Sequence, residues 1–493
     1  MRNDIRCCIS TGINKYSIVN QFWGRNDLLN NNSPNLVRVL GLRDLSFFLI
    51  AALVNLNSVP VVAGAGPHAI TLWITGFFLF FVPQAIAVLE LSHRSPYEGG
   101  IYNWNKAVFG EFHGFVSGWS YWVNNIFYIP TLLFYIVGFL TYIGGTSTSW
   151  LAKNPLPMTL ISMLLLWLLT WLNIRGFTVG KWVQNIGASG TFVTAATMLV
   201  IAIIAFVNRG SSNDISLSTI IPSPSDIGAF ALLSVVCLNF VGLELGAVIG
   251  DEVKDPLKNI PRAVMISGIS TIGLFLVVTT SLLIAIPTAE IGIIEGILQG
   301  IEKAAGEIGI AWIVIPMALL MSMNAAGNTS AWLSGAARIP FVIGIDHYLP
   351  QSLGTIHHKY HTPHIALIVQ GIASSVVIIF AAIGSSVHDM YLILLQTTVV
   401  LQLIPYLYMF IGLTKVRTTY RLVEGYFKSN ALTIGAGITG AVMTFFGIIF
   451  AFIPSGSIEN ISSYEIKLFS GCFGFMIPGI VLYFFNRKNV DSV

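Results

Sequence analysis

The stretch that decides the fold runs from residue 238 to residue 263 and reads LNFVGLELGAVIGDEVKDPLKNIPRA. Asn239, Gly242 and Glu244 lie inside an apolar run, which ends in an acidic, basic and proline-containing segment. An ionisable group in hydrocarbon is costly and usually faces a cavity, a pathway or a partner. The glycine allows a helix to break, and freed backbone groups are tolerated only where they line a protected or watery cavity. The stretch therefore predicts a broken membrane helix with a binding site at its break.

Composition sets the class of protein. Of the 493 residues, 55% are hydrophobic and 10% are charged, and the mean hydropathy is +0.77. Soluble domains carry about 25% charged residues, so the chain is predicted to be an all-α, multi-pass membrane protein. The formal net charge is +3 without a clustered basic face, and nucleic acid is therefore not an expected partner. The four cysteines lack metal-ligand spacing, and neither a metal nor a cofactor is expected.

Twelve segments match the length of apolar chain, about 20 residues, that crosses a bilayer. They are residues 44–62, 67–92, 109–142, 155–173, 183–207, 226–250, 262–286, 311–340, 363–383, 389–414, 431–453 and 469–486. Basic residues favour the cytoplasmic side, and only Lys153, Arg209, Lys303 and Lys467 fall on the other side of this map. Both termini are therefore predicted to be cytoplasmic, with tails at residues 1–43 and 487–493 and the spans embedded in plasma (cell inner) membrane lipid.

Polar residues interrupt the first segment as well. Asn55, Asn57, Ser58 and Pro60 lie near its middle, and Pro60 lacks the amide donor that a regular helix needs. The first span is therefore also expected to be discontinuous.

The third segment carries polar groups on a membrane helix. Tyr121, Asn124 and Tyr128 occur there, and Asn124 and Tyr128 share a face at i and i+4. Such groups either bind a solute or hydrogen-bond to neighbouring helices, and both readings stay open. Just before them, glycines recur every four residues at 110, 114 and 118, a spacing that lets helices approach closely.

Three segments together resemble the amino acid-polyamine-organocation superfamily of secondary transporters. They are SPYEGGIYNWNKAVFGEFHGF (95–115), FVGLELGAVIGDEVKDPLKNIPRA (240–263) and GAARIPFVIGIDHYLPQSLGTIHHKYHTPHIALIVQG (335–371). The resemblance implies a LeuT-like fold, in which two five-helix inverted repeats have discontinuous first and sixth helices around a central site. The repeats would be residues 44–207 and 226–414, followed by two additional helices within residues 431–486.

The resemblance also implies a set of site residues. The family's Gly-Ser-Gly break falls on Asn57, Ser58 and Val59, of which only the serine is kept, and its sixth-span aromatic falls on Phe240. Glu244 matches the acid that hydrogen-bonds across the core in relatives and can respond to protons, and it is the expected coupling or gating residue. The residues expected at the substrate are Asn55, Asn57, Ser58, Val59, Tyr121, Asn124, Tyr128, Asn239, Phe240, Gly242, Asn324, Asn328 and Gln396.

The expected function is secondary active transport of amino acids, by symport or exchange through alternating access. A polyamine or cationic organic amine is the alternative substrate, and a non-transporting solute receptor is the alternative of another class. An enzyme is not expected, because the chain has no His-Glu-x-x-His helix, paired membrane aspartates or Gly-x-Ser-x-Gly elbow. Some proton-coupled relatives carry a lysine in the fifth span, where this chain has Gly190 and Thr191. Coupling through Glu244 and a proton, through sodium, or by obligatory exchange is left open.

Overall fold

The computed structural model describes residues 38–94, 99–143, 150, 154–223, 227–293, 295–382, 387–419, 425–453 and 461–490. Within these ranges, nine helices are long and apolar enough to cross a membrane. They are His68–Arg94, Glu111–Ile143, Pro155–Ile174, Trp182–Arg209, Pro256–Ala285, Ala311–Gly344, Tyr391–Thr418, Asn430–Ala451 and Glu465–Asn486. The apolar helices Gly228–Asn239 and His364–Phe380 are shorter. Together with the interrupted first segment, they correspond in order to the twelve predicted segments and are called spans 1 to 12.

Several spans contain local changes of helix type or extend beyond the apolar core. Span 2 consists of the helices His68–Gly76 and Val82–Arg94 with a π-helical turn, Phe77–Phe81, between them. Span 8 consists of Val314–Ala336 and Arg338–Ile345. The full helices of spans 5, 9, 10 and 12 are Phe177–Arg209, His364–Ala382, Val387–Thr419 and Ile461–Val490. Connecting helices are Ile101–Phe109, Leu217–Ile220 and Gly296–Glu307.

Spans 3 and 10 form the centre of the molecule. In their most apolar stretches 83% and 72% of the residues are buried, against 33% in span 4 and 28% in span 12. Spans 4 and 12 therefore lie at the periphery, where their apolar side chains face outward.

The glycines before span 3 explain how the helix Ile101–Phe109 packs. A Cβ on Gly114 would lie 2.5 Å from the Cβ of Lys106, and one on Gly118 would lie 2.7 Å from the ring of Tyr102. Gly110 has a different role, because its φ of +92° makes the turn between the two helices. Two of the three predicted small residues thus permit close helix contact, and the third permits the turn.

Span 1 is broken where the polar residues predicted it. One helix, Leu42–Leu53, ends before Val54 and Asn55, and a 3₁₀ turn, Leu56–Ser58, leads into the short helix Val59–Ala63. Pro60 lies in the first turn of that short helix, where its missing N–H has no intrahelical partner to lose. The break therefore precedes Pro60 instead of centring on it.

Span 6 is broken at the glycine. The helix Leu233–Asn239 ends, and the chain resumes a helical path at Leu245–Val248. Gly242 has a φ of +125°, a conformation that side chains with a Cβ rarely adopt. The two predicted discontinuities are thus present, each with a local sequence cause.

Candidate functional site

The Glu244 carboxylate lies between the broken span 6 and its neighbours and is completely buried. Its Oε1 accepts a hydrogen bond from the Tyr121 hydroxyl at 2.8 Å. Its Oε2 accepts from the Gly242 backbone N–H at 3.1 Å, from the Gln84 side-chain amide at 3.2 Å and from the Tyr406 hydroxyl. These donors belong to spans 3, 6, 2 and 10, so the carboxylate connects four spans.

The donors around Glu244 also contact one another. The Tyr406 hydroxyl oxygen accepts from the Gly242 N–H at 3.0 Å and from the Gln84 amide at 3.1 Å. All four donors to the carboxylate are uncharged, so neutral hydrogen bonds, and not an ion pair with these groups, stabilise it. The amide that the break frees from the helix is thus satisfied by side chains of span 6 itself and of span 10.

Side chains of the two breaks contact each other directly. The Ser58 hydroxyl donates to Asn239 Oδ1 at 2.6 Å, which links residues 181 positions apart in the chain. The Asn55 amide donates to the Tyr128 hydroxyl at 3.1 Å. Asn55 Oδ1 is buried and has no hydrogen-bond partner among the described residues, and an unpaired buried acceptor is a natural place for a polar ligand group.

Span 8 holds the first break from the opposite side. The Asn328 amide donates to the carbonyl oxygens of Ala51 at 2.8 Å and Ala52 at 3.1 Å. The Trp332 indole N–H also donates to Ala52, at 3.1 Å. The Trp332 ring packs against Tyr128, with centroids 5.5 Å apart, and so joins span 8 to span 3.

The region around the breaks is closed at both ends. At one end, the backbone N–H of Leu40 donates to the Glu252 carbonyl at 3.0 Å, and the buried Glu252 carboxylate pairs with Arg338 at 2.5 Å. At the other end, the hydroxyls of Tyr135 in span 3 and Tyr391 in span 10 are hydrogen-bonded. Between these contacts, the polar side chains of the breaks, Asn55, Ser58 and Asn239, are buried.

The connecting helix reinforces the end that contains Arg338. Tyr102 donates to Asp346 at 2.5 Å, and Lys106 pairs with the same carboxylate at 2.7 Å. Burial, followed by the nearby Asp346 carboxylate, raises the pKa of the Tyr102 hydroxyl well above its usual value. The hydroxyl therefore remains a hydrogen-bond donor at any physiological pH.

Other expected site residues have different partners. Asn124 donates to Gln402 of span 10, and Asn324 donates to Thr191 of span 5. Phe240 is buried in an aromatic cluster with span 2 and span 7, where its ring centroid lies 5.7 Å from those of Trp73 and Phe275. The place of Phe240 at the substrate, which the family resemblance implies, stays a prediction.

For three more of the expected site residues, the described part of the structure shows no hydrogen bond that places the side chain at the site. Val59 is buried at the start of the short helix of span 1. Gln396 is partly buried, and its Oε1 has no hydrogen-bond partner among the described residues. The side chain of Asn57 lies outside the described part of the chain.

The structure adds four residues that the sequence argument did not place at the site: Gln84, Trp332, Gln402 and Tyr406. Gln84 and Gln402 are fully buried amides in apolar helices, and a polar group in a membrane span is itself a functional signal. Trp332 and Tyr406 carry no comparable signal, because buried aromatic residues are common in membrane cores. The Trp332 indole N–H and the Tyr406 hydroxyl indicate a role at the site only once their hydrogen-bond partners are known.

Comparisons with known proteins agree with this architecture. The sequence profile of the family described as amino acid permease matches residues 40–477. The glutamate/gamma-aminobutyrate antiporter of Lactococcus lactis (strain IL1403) is 25% identical over 468 residues, which cover 91% of each chain. The probable agmatine/putrescine antiporter of the same organism is 22% identical over 356 residues, covering 72% of this chain and 75% of the relative.

A solved structure shows the same fold. The crystal structure of MhsT in complex with L-phenylalanine superposes with a TM-score of 0.60 at 13% sequence identity, covering 85% of this chain and 99% of MhsT. MhsT is a LeuT-fold transporter, so the likeness confirms the expected fold class. The family profile includes both breaks and confirms the superfamily resemblance, and the matched proteins are transporters and not enzymes. The chain thus belongs to the amino acid permease family of the amino acid-polyamine-organocation superfamily and is an integral, multi-pass membrane transporter of that family.

Proposed function

We propose that the protein exchanges amino acids across the membrane by alternating access, with the substrate held between the breaks of spans 1 and 6. The direct Ser58–Asn239 contact supports this location, because it joins the two breaks through polar groups that a substrate could replace. Asn55 Oδ1, which has no hydrogen-bond partner within the described part of the chain, lies on the same break and offers an acceptor for an α-ammonium group. Exchange is the proposed mode because the two relatives described above are both antiporters by name.

The hydrogen bonds to Glu244 favour an amino acid over a polyamine as the substrate. A polyamine, which has no carboxylate, would need an anionic side chain as its counter-ion. The Glu244 carboxylate is already engaged by four protein donors, so binding an amine would require breaking these hydrogen bonds. An amino acid, which is zwitterionic, needs no such counter-ion. The Lactococcus agmatine/putrescine antiporter keeps a polyamine as the second candidate.

Glu244 is proposed as the coupling or gating residue. Because its donors come from spans 2, 3 and 10 as well as from its own break, movement of any of these spans changes its hydrogen bonds. Opening toward water would also change the solvation of the carboxyl and thus its tendency to bind a proton. Glu244 can thereby link substrate movement to protonation without contacting the substrate.

Binding of free amino acids and polyamines to the purified protein tests the substrate class. Thermal unfolding is measured with each compound in turn, since a ligand that binds only the folded state raises the midpoint temperature. We expect saturable stabilisation by one or more amino acids and none by putrescine, agmatine or spermidine. Stabilisation by polyamines alone would contradict the proposal.

We also propose a plasma membrane location with both termini in the cytoplasm, as the distribution of Lys and Arg indicates. The test is cysteine labelling in intact cells with an impermeant reagent. A cysteine in place of Ser212, between spans 5 and 6, should react, whereas one in place of Lys258, in the first turn of span 7, should not. The reverse pattern would overturn the orientation.

A further inference from the structure

At the C-terminal end of the first half of span 1, the terminal carbonyl groups accept hydrogen bonds from the chain and from span 8. The last four carbonyl groups of a helix have no partner from continuing helix, and in Leu42–Leu53 these belong to residues 50–53. The chain itself satisfies two of them: the N–H of Val54 donates to Ile50 at 2.9 Å, and the N–H of Asn55 donates to Leu53 at 3.0 Å. The other two carbonyls belong to Ala51 and Ala52.

Span 8 supplies the donors for these two carbonyls. Asn328 contacts both Ala51 and Ala52, and Trp332 adds a second donor to Ala52. Asn328 is completely buried, and Trp332 is 1% exposed. Each of the four terminal carbonyls therefore accepts at least one N–H.

The orientation of the Asn328 amide follows from its other contact. Its Oδ1 faces the Tyr128 hydroxyl at 3.4 Å, and that hydroxyl in turn accepts from Asn55 at 3.1 Å. Tyr128, which already accepts from Asn55, donates in turn to the Asn328 oxygen, and this places the Asn328 NH₂ group toward the carbonyls. The reversed amide would put an oxygen against the carbonyl oxygens of Ala51 and Ala52.

These donors occupy a position where this fold can hold a cation. In LeuT-like transporters, unwound carbonyls and the C-terminal ends of half-helices coordinate Na⁺ or H⁺, because the end of a helix carries a partial negative charge. Here the positive ends of amide and indole N–H dipoles face that charge. A Na⁺ ion at these oxygens would lie against the positively polarised N–H groups of Asn328 and Trp332, so the donor set does not fit the ion.

We propose that Asn328 and Trp332 take the place of a coupling Na⁺ at the end of the first half of span 1. Span 8 then holds the break through covalently attached donors, and the conformational cycle runs without Na⁺ at this position. This inference concerns the coupling of the proposed transport function and rests on that function. Asn328 acts here as a positioning residue, since it contacts the backbone of the break.

Thermal unfolding of the purified full chain tests the proposal without any transport measurement. The midpoint temperature is titrated with NaCl, KCl and choline chloride at constant ionic strength, for the wild type and for Asn328→Asp. We expect the wild type to be indifferent to the cation. Asn328→Asp replaces two N–H groups by a carboxylate beside two carbonyl oxygens, a ligand set suited to a hard cation. This variant should therefore unfold at lower temperature in choline and show a saturable rise in Na⁺.

Asn324→Asp is the matched control. Asn324 lies one turn away in the same helix and contacts the Thr191 hydroxyl, which can also donate to a carboxylate. The control should therefore show no Na⁺-specific rise. A response in Asn324→Asp equal to that of Asn328→Asp would mean that any added buried carboxylate attracts the ion, and it would overturn the assignment to Asn328.

Two other outcomes would also overturn the proposal. One is a saturable, Na⁺-specific rise in the wild type, a result that does not depend on any variant folding. The other is a folded Asn328→Asp protein that responds to none of the cations. These measurements contain no substrate. The proposal about Na⁺ can therefore be refuted while amino acid exchange is confirmed, and amino acid exchange can be refuted while the proposal about Na⁺ is confirmed.

Discussion

Replacing Glu244 tests whether its carboxylate is a cross-core element or a counter-ion for the substrate. Glu244→Ala removes the acceptor of four donors. The Gly242 N–H and the Gln84 amide keep the Tyr406 hydroxyl oxygen as a second acceptor, whereas the Tyr121 and Tyr406 hydroxyls lose the acceptor they have. An unsatisfied buried donor costs about 1–3 kcal/mol, so the free energy of unfolding should fall by roughly 2–6 kcal/mol.

Glu244→Gln should behave differently. The glutamine keeps an oxygen for the Gly242 N–H, and its NH₂ group can donate to the Tyr121 hydroxyl oxygen. We expect destabilisation of no more than about 1.5 kcal/mol, the value of a single neutral hydrogen bond. Substrate affinity should stay close to that of the wild type. Transport should lose most of its pH dependence or become slow, because the amide cannot exchange the proton.

The assay combines thermal unfolding, substrate titration and transport rates in proteoliposomes between about pH 5 and pH 8. Glu290→Gln is the matched control, since Glu290 forms an exposed ion pair with Lys303 at 2.7 Å and exposed pairs contribute little. The control should leave all three measurements unchanged. Loss of substrate binding in Glu244→Gln together with an intact pH profile would refute the reasoning, because it would identify Glu244 as a counter-ion.

Three further substitutions test the breaks and their closure. Ser58→Ala or Asn239→Ala should weaken amino acid binding roughly ten- to a hundredfold in a titration of the purified protein; unchanged affinity in both would place the site elsewhere. Gly242→Ala introduces a Cβ at a φ of +125° and should cost about 1–3 kcal/mol of stability, so an unaltered unfolding temperature would contradict the strained geometry. Arg338→Met removes the guanidinium from the buried Glu252 carboxylate and should lower the free energy of unfolding by about 3–5 kcal/mol. Adding Glu252→Gln to this variant should restore part of the loss. A double variant no more stable than Arg338→Met would argue against the ion pair as the cause.

The breaks could be predicted because their causes are local. Gly242 supplies a backbone conformation that other residues avoid, and the polar residues near Pro60 interrupt an apolar run. Glu244 was conspicuous for the same reason, since an acid in an apolar segment is rare. Even there, the position of Pro60 in the first turn of the second half-helix depended on where that helix begins, and the sequence pattern did not determine this.

The partners of these residues could not be predicted, because they depend on how distant spans pack. Glu244 meets Gln84 and Tyr406, which are 160 and 162 positions away. Asn324 and Asn328 share a helix face, yet one contacts span 5 and the other contacts span 1. Two residues four positions apart on a helix are separated by one full turn plus a few tens of degrees of rotation. Where three helices meet, this difference is enough to place the two side chains against different neighbours, and the sequence pattern of a single helix does not reveal it.

Substrate counterflow in proteoliposomes tests the central claim most directly. Liposomes containing the purified protein are loaded with an unlabelled amino acid that stabilises it, and the entry of the same labelled compound is followed against empty and protein-free liposomes. The account predicts transient accumulation of the labelled amino acid in the loaded liposomes, reduced in Ser58→Ala. Binding without accumulation would show a solute receptor, and accumulation of a labelled polyamine alone would show a different substrate class; either result would contradict amino acid exchange by this protein.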